Sequence, residues 1–270
     1  MIYCFSGTGN SLGVARRLSE ALGERLLPMT ETLGAAPAFA SPGEPLGLVF
    51  PVYGWGLPRF VETFVESLPH PADATPRYVF AVLTCGDDIG RTDRLLSRAL
   101  ARRGWQLAAV FSLQLRNTYV CLPGFDVDTP QAAAEKAQRA EAQLEAIVPR
   151  IAAREGSTQA DIVPGACAGL KSYVLRPLFN ALLISDRHFR AETVRCTGCG
   201  RCARVCPLHN ISLDEATRTP RWQGHCTHCL ACYHACPQHA VAYGFFTGKK
   251  GQVGINSYFR GPQGAAKDNL

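Results

Sequence analysis

Two runs of closely spaced cysteines constrain this chain more than any other feature. CTGCGRCARVCP begins at Cys196 and CTHCLACYHACP begins at Cys226, and both follow the pattern C-x2-C-x2-C-x3-C-P. In such a run the first three thiolates reach three irons of one cubane 4Fe-4S cluster, and the fourth points to the other cluster. The spacing therefore predicts two clusters that exchange their fourth ligands. One set is Cys196, Cys199, Cys202 and Cys236, and the other is Cys206, Cys226, Cys229 and Cys232.

A pair of zinc sites is the alternative interpretation of clustered cysteines. Structural zinc sites usually pair two C-x2-C motifs across a long gap, and neither a third close cysteine nor a following proline is expected there. The two runs resemble those of bacterial-type two-cluster ferredoxins, and both match without a departure. Because eight thiolates complete two clusters, we interpret the nearby histidines as supporting or surface groups and not as ligands. They are His209, His225, His228, His234 and His239.

Length and charge limit the class of protein. With 270 residues and 47% hydrophobic content, the chain can bury one large core and one small one. Residues 1–150 carry 14 Lys and Arg against 15 Asp and Glu, whereas residues 151–270 carry 14 against 7. The half with the cysteine runs is therefore the basic half. A basic half favours an acidic redox protein, a ferredoxin or flavodoxin, as donor. Since two clusters would offset part of the excess positive charge, we expect no nucleic-acid partner.

The sequence predicts a cytoplasmic protein. The stretch from Met1 to Phe5 has the pattern of a strand that leads directly into a glycine loop, without a charged and apolar leader. No apolar run is long enough to predict a transmembrane segment. Free thiols and cubane clusters both favour a reducing compartment. The cysteines without ligand spacing are predicted to be small buried residues. These are Cys4, Cys85, Cys121 and Cys167.

The N-terminal half begins with a strand, a small-residue loop and a helix, in the order MIYCF, SGTGNS and LGVARRLSEAL. Gly7 and Gly9 allow a sharp turn, so that loop N–H groups and the hydroxyls of Ser6, Thr8 and Ser11 can surround a phosphate. The glycine spacing is one residue longer than that of G-x-G-x-x-G, and the lysine of a P-loop is missing. A tight turn without a ligand is the alternative.

The same strand-loop-helix order repeats along the first half. Strands are predicted at 46–50, at 78–84 and from 107, with a weaker one at 25–28. The helices are predicted from Pro58, through Leu95 up to Gly104, and from Pro130 towards Arg154. Alternating strands and helices predict a parallel sheet that is covered on both faces, with ligands at the carboxyl ends of its strands.

The loops SGTGNS, PVYGWGLP and TCGD follow successive predicted strands and resemble the phosphate loop and the two flavin-flanking loops of flavodoxins. The resemblance implies FMN as the ligand. Tyr53 and Trp55 have flat faces that can stack on its ring, and ordinary packing is the alternative for each. Asn117 and Tyr119 lie in NTYVCLPGF, a departure from short-chain flavodoxins. The implied binding residues are Ser6, Gly7, Thr8, Gly9, Asn10, Ser11, Pro51, Val52, Tyr53, Gly54, Trp55, Gly56, Thr84, Cys85, Gly86, Asp87, Asn117 and Tyr119.

The order of motifs along the whole chain resembles a family of anaerobic bacterial and archaeal ferredoxins that are fused behind a flavodoxin-like domain. The resemblance implies an α/β doubly wound parallel sheet with strand order 2-1-3-4-5, followed by a small α+β two-cluster domain. We expect a flavodoxin-like domain at 1–155, a helical linker at 156–190, the two-cluster domain at 191–245 and a C-terminal extension at 246–270.

The linker and the extension have less specific patterns. Apolar residues recur at helical spacing in the linker, where Pro177 is predicted to kink the helix, and they are predicted to dock one domain on the other. Binding to a membrane surface is the alternative. These residues are Leu170, Tyr173, Val174, Leu178, Ala181 and Leu182.

The extension combines basic and aromatic residues that can cover a cluster or recognise an acidic group, and a solvated tail is the alternative. They are Lys249, Lys250, Tyr258, Phe259 and Arg260.

These observations predict an oxidoreductase with FMN and iron-sulfur clusters. In this interpretation electrons pass from a low-potential protein donor through two 4Fe-4S clusters to FMN and on to a small acceptor. Two alternatives stay open, namely an electron-transfer module that serves a separate enzyme and a redox sensor. No pair of acid and base stands out near the flavin loops, and Asp87, Tyr53 and Tyr119 are the candidate proton donors.

Overall fold

The computed structural model describes residues 1–33, 35, 39, 41, 43–71, 77–245 and 247–255. Within these residues, the first half forms a five-stranded parallel sheet with the order β2-β1-β3-β4-β5. This order confirms the predicted doubly wound fold. The strands are β1 Ile2–Cys4, β2 Leu26–Pro28, β3 Leu46–Pro51, β4 Val79–Cys85 and β5 Leu107–Gln114.

Helices cover both faces of the sheet. They are α1 Asn10–Leu22, α2 Arg59–Ser67, α3 Thr92–Ala101 and α4 Pro130–Ala152. One core contains Leu48 and the inner sides of α2 and α3, and the other contains Val49 and the inner sides of α1 and α4. Neighbouring residues of β3 thus enter opposite cores, as the alternation of side chains along a strand requires. Burial on both faces explains why β3 and β4 read as continuous apolar runs.

The order of the strands brings three loops to one edge of the sheet. Strand β1 lies between β2 and β3, with Ile2 paired to both Leu26 and Gly47, and β4 continues the sheet on the far side of β3. The chain leaves β1, β3 and β4 at their carboxyl ends, where parallel sheets place their ligand sites. The predicted phosphate and ring loops therefore meet above this edge.

The C-terminal part is a small ferredoxin-like domain. Its elements are β6 Phe189–Ala191, α7 Arg201–Arg204, β7 Ile211–Leu213, β8 Pro220–Trp222, α8 Ala231–Ala235 and β9 Val241–Tyr243. Among the described residues, β6 pairs with β9 and β7 pairs with β8, both antiparallel. Each short helix lies inside one cysteine run, and the residues that precede them, Gly200 and Leu230, both have left-handed φ angles of 71° and 61°. The two runs therefore fold alike.

A helical linker joins the two parts. It comprises a 3-10 turn at Gln159–Asp161, then α5 Ala168–Leu170, a π-helical turn at Lys171–Leu175 and α6 Arg176–Leu182. The predicted irregularity is present, although it takes the form of a π-helical turn that ends before Pro177. In the part of the chain that the structure describes, no helix has both the length and the apolar character needed to span a membrane.

One of the four cysteines predicted to be buried is exposed, and part of the predicted extension lies outside the described residues. Cys4, Cys85 and Cys121 are buried as predicted, but Cys167 is exposed because it begins α5 in a left-handed conformation (φ 51°) on the surface. In the extension, a 3-10 turn at Thr247–Lys249 is the last helical element of the described residues. The predicted aromatic and basic residues Tyr258, Phe259 and Arg260 lie outside the described residues.

Candidate functional site

A cavity of about 330 Å³ lies at the carboxyl edge of the sheet. Sixteen of the eighteen residues that the sequence assigned to FMN line it, and the exceptions are Gly9 and Gly56. Gly9 lies behind the loop, where its N–H donates to Ser6 Oγ at 3.1 Å. Residue 56 must be glycine because any side chain there would collide with Arg176. The structure thus brings the predicted loops together, and their role in binding stays a prediction.

The loop between β1 and α1 provides a site for an anion. Gly9 begins α1 with a φ of 102°, and no side chain caps this helix end. The first turn of α1 carries no acidic residue, so the partial positive charge of the helix N-terminus is not offset there. Ser11 is buried and shares a hydrogen bond of 2.7 Å with Thr84 Oγ1, which fixes the loop to β4. This geometry suits a phosphate group.

The loops after β4 and β5 are tied to each other. Asn117 Nδ2 donates to Asp87 Oδ2 at 3.0 Å, and Asn117 lies so close to Gly86 that a side chain there would collide with it. Lys136 pairs with Asp87 at 3.3 Å and with Asp128 at 2.8 Å, and Asp128 also accepts from the Asn117 backbone N–H. These contacts hold one wall of the cavity in place. Both carboxylate oxygens of Asp87 thus accept hydrogen bonds, and its role as a proton donor stays a prediction.

The loop after β3 is held from the linker. Trp55 has a φ of 58°, a conformation that costs about 1–3 kcal/mol in a non-glycine residue and needs support from its surroundings. Ser172, which is buried, supplies that support by donating to the Trp55 carbonyl oxygen at 2.7 Å and accepting from the Arg91 N–H at 2.7 Å. Lys171 lies over the Trp55 ring, 5.6 Å from its centre, and pairs with Asp88 at 2.6 Å.

The apolar side of the linker faces outwards, so the prediction that it docks one domain on the other is wrong. Its large side chains are between 40% and 70% exposed, and they are Leu170, Tyr173, Val174, Leu175, Leu178 and Leu182. The linker instead docks through polar groups. Buried Arg176 donates to the Leu57 carbonyl oxygen at 2.9 Å and pairs with Glu62 at 2.5 Å. Backbone carbonyl groups in the loop after β3 require hydrogen-bond donors, and the hydropathy pattern of the linker does not predict that polar linker residues provide them.

The eight cysteines of the two runs fall into two groups in space. One small cavity is lined by Cys196, Cys199, Cys202 and Cys236. In the other group, burial raises the pKa of Cys232 well above its usual value, and Cys229, Cys226 and Cys206, which lie close enough to act on it electrostatically, raise it further. Each group thus combines three cysteines of one run with the fourth of the other, and the ligation of two clusters by these groups stays a prediction.

Among the described residues, no three His, Cys, Asp or Glu side chains converge as a site for one metal ion would require. A cubane has one cysteine on each iron, so its ligands surround a volume. Backbone N–H groups also point at the sulfurs: Asn210 N lies 3.3 Å from Cys206 Sγ, and Ala240 N lies 3.2 Å from Cys236 Sγ. Such bonds stabilise thiolates and tune cluster potentials.

The second cysteine group adjoins the cavity above the sheet. Cys229, His228 and Leu230 are part of the cavity wall. A Cβ atom placed on Gly7 would lie 2.6 Å from Cys229 Cβ and 2.8 Å from Tyr53 Oη, so the loop can approach this close only because residue 7 is glycine. Burial raises the pKa of Tyr53 well above its usual value, and the charges of Cys229 and Cys226 raise it further.

Two side chains in the cavity wall have buried polar atoms that make no hydrogen bond with the described residues. Tyr119 Oη and both ring nitrogens of His228 have no hydrogen-bond partner among the described residues. The two rings lie 5.9 Å apart, and His228 also contacts Phe189 and Tyr243. Burial lowers the pKa of His228 to about 4 and raises that of Tyr119, so both side chains are neutral near pH 7. Unpaired buried groups of this kind are costly and commonly meet a ligand or water.

The remaining histidines support the domain or lie on its surface. His234 is buried, donates through Nε2 to the Thr118 carbonyl oxygen at 2.8 Å, and accepts from the Val253 N–H at 3.2 Å. It therefore connects α8 to the loop that carries Asn117 and to the start of the extension. The others, His209, His225 and His239, are exposed.

Sequence reasoning missed the cavity residues that come from the second half of the chain. They are Lys171, Phe179, Ile184, His228, Cys229 and Leu230. Phe179 packs against Gly54, where an added Cβ would lie 2.7 Å from Phe179 Cδ1. No local spacing marks these residues as parts of the cavity, because they reach it only through the docking of the linker and the cluster domain.

The comparisons with known proteins support the assignment of the second half. A family model described as a 4Fe-4S dicluster domain matches residues 195–241, which contain both cysteine runs. No curated protein and no solved structure was found to match the chain. The C-terminal part is therefore a 4Fe-4S cluster-binding domain of the kind that transfers electrons, joined to a five-stranded parallel α/β domain.

Proposed function

We propose that this protein is an oxidoreductase with FMN and iron-sulfur clusters, in which electrons from a low-potential protein donor reach FMN through two 4Fe-4S clusters and leave to a small acceptor. In this proposal residues 1–155 bind FMN, 156–190 form the linker, 191–245 hold the clusters and 246–270 form an extension. A reducing cytoplasm, as in anaerobic organisms, is the setting in which such clusters persist.

One observation carries the proposal: the predicted nucleotide cavity and a predicted cluster site share a wall. Cys229 lines the cavity, and Gly7 of the phosphate loop packs directly against it. Electron transfer depends steeply on distance, so a wall that is one residue thick allows fast exchange. A protein that merely carried the two domains side by side would have no need for a glycine at this contact.

The cavity fits FMN on three counts. The uncapped start of α1, with Ser6, Thr8 and Ser11 around it, can hold a terminal phosphate. Trp55 and Tyr53 give the wall flat side chains, and the unpaired hydroxyl of Tyr119 can pair with a polar edge of the ring or of an acceptor. FMN, when bound, supplies the conversion between one-electron and two-electron chemistry.

The two-cluster assignment rests on the spatial grouping of the cysteines. One group contains Cys236 and the other contains Cys206, so each holds the final cysteine of the other run. Bound iron supplies the positive charge that keeps buried thiols such as Cys232 deprotonated. In this arrangement the group with Cys229 is the one that exchanges electrons with the cavity.

Cofactor analysis is the first test. The protein is purified without oxygen, and the nucleotide is released and identified by chromatography, while iron and sulfide are measured on the same sample. We expect FMN together with the iron and sulfide of two cubane clusters. Recovery of FAD, or of no flavin from a preparation with full clusters, would overturn the assignment of the cavity.

A further inference from the structure

The two cysteine groups differ in their access to solvent. In the first group Cys199 is exposed and Cys196 is partly exposed. In the second group none of the four cysteines is exposed: Cys232 is buried, the other three are partly buried, and Cys229 lies against Gly7 at the cavity. If the clusters deliver electrons to the cavity, as the proposed function holds, the exposed Cys199 gives an external protein direct access to the first group.

Arginines surround the exposed group. Arg204 Nη1 donates to the Cys199 carbonyl oxygen at 2.9 Å, and Arg218 packs against Gly198, where an added Cβ would lie 2.8 Å from Arg218 Cβ. Arg201 and Arg218 line the same cavity as the four cysteines, and the described residues that line it include no Asp or Glu. All three arginines are exposed.

Two of the nearby acids are already paired with other arginines. Asp214 pairs with another arginine, Arg221, at 2.6 Å, and Glu192 pairs with Arg195 at 3.3 Å. A cluster with four thiolates contributes a charge of about −2, which is smaller in magnitude than the positive charge of the three arginines. The ring of Arg201, Arg204 and Arg218 thus presents positive charge to solvent around the exposed cysteines.

We propose that this arginine ring is the surface that receives electrons, and that it docks an acidic one-electron carrier protein over Cys199. The inference deepens the proposed function, because it locates the donor's contact on the cluster domain. Complementary charge steers such a partner and orients its redox centre towards the first cluster, and this steering weakens with salt. One electron is transferred per encounter, so the donor is oxidised by one electron and the cluster is reduced by one.

The test replaces two arginines of the ring in the intact, cluster-loaded protein. The variant is Arg201→Glu with Arg218→Glu, and Arg204 is kept because it bonds to the cluster loop. Arg139→Glu, at an exposed arginine on α4, is the control for a charge reversal away from the ring. Cluster reduction is followed by anaerobic stopped-flow absorbance with two donors, a reduced acidic ferredoxin and reduced methyl viologen.

We expect the rate constant with the ferredoxin to fall by on the order of tenfold or more at low salt in the double variant, and to lose its dependence on ionic strength. The control should retain the wild-type rate constant and its dependence on ionic strength. Methyl viologen, a small cation, should reduce both variants at least as fast as it reduces the wild type. An equal loss in Arg139→Glu, or a wild-type rate that ignores salt, would overturn the docking surface. Slower reduction by methyl viologen as well would do the same, since the arginines would then act on the cluster itself.

The two proposals fail in different ways. If the ferredoxin reduces the clusters in the expected salt-dependent manner while the flavin stays oxidised, the docking surface stands and the proposed function fails. If methyl viologen carries electrons through the clusters to the flavin while the double variant behaves as the wild type with the ferredoxin, the proposed function stands and the docking surface fails.

Discussion

Replacing Gly7 by alanine tests the contact between the phosphate loop and the cluster domain. The new Cβ would lie 2.6 Å from Cys229 Cβ, 2.8 Å from Tyr53 Oη and 3.0 Å from the Cys229 carbonyl oxygen. Carbon atoms normally approach to about 3.5 Å. Two of the three opposing atoms belong to Cys229 close to its backbone, so the loop and the cluster domain must separate.

The size of the effect follows from the overlap. Inserting a methyl group into a packed contact costs about 1–3 kcal/mol. In a protein of this size each kcal/mol lowers Tm by about 2–4 °C, so we expect a fall of about 2–12 °C. Electron transfer between the clusters and the cavity should slow as well, because the separation lengthens its shortest path.

The assay compares Gly7→Ala with Gly156→Ala. At Gly156 an added Cβ meets only the Ala108 carbonyl oxygen, at an ordinary distance of 3.6 Å. Thermal unfolding is followed by circular dichroism, and flavin reduction is followed by stopped-flow absorbance after the clusters are reduced. The control should match the wild type or be slightly more stable. If Gly7→Ala matched the control in both Tm and rate, the close contact would not exist in solution.

Three other predictions follow from single contacts. Cys206→Ala should damage the cluster of Cys226, Cys229 and Cys232 more than that of its own run, and a cluster-resolved EPR spectrum distinguishes the two losses. Ser172→Ala leaves two partly buried backbone groups unpaired and should cost about 1–3 kcal/mol in urea unfolding, whereas exposed Tyr173→Ser should cost less. Burial raises the pKa of Tyr78 to about 12, so its contribution to stability is complete below pH 10 and is lost as the pH rises towards 12. The difference in unfolding free energy between the wild type and Tyr78→Phe should therefore shrink over that range, and a constant difference would contradict the shift.

The sheet and the cysteine grouping follow from local sequence signals. The parallel sheet was expected from the succession of strands, loops and helices, whereas its strand order was implied only by the resemblance of the motifs to those of flavodoxin-like proteins. The pairing of Cys206 and Cys236 with the opposite runs follows from spacing, since one short turn directs the fourth cysteine away from the first three. These features depend on stretches of a dozen residues or fewer.

The linker shows where such reasoning stops. Its apolar residues recur at helical spacing, so hydropathy predicts that this side is buried. In the structure Ser172 and Arg176 are buried, because they provide hydrogen bonds to the carbonyl groups of Trp55 and Leu57. The left-handed conformation of Trp55 has no local signal either. Contacts between residues more than 100 positions apart decide these features, and a single sequence does not reveal them.

Removal of the cluster beside the cavity tests the central claim most directly. Cys226→Ala and Cys167→Ala are compared, because Cys167 is exposed and lies outside the cysteine runs. Each protein is mixed without oxygen with a reduced ferredoxin, and flavin absorbance is recorded by stopped flow. We predict that the flavin of Cys167→Ala is reduced at the wild-type rate, while that of Cys226→Ala stays oxidised over the same time. Equal rates of flavin reduction in the two variants would contradict an electron path through the clusters.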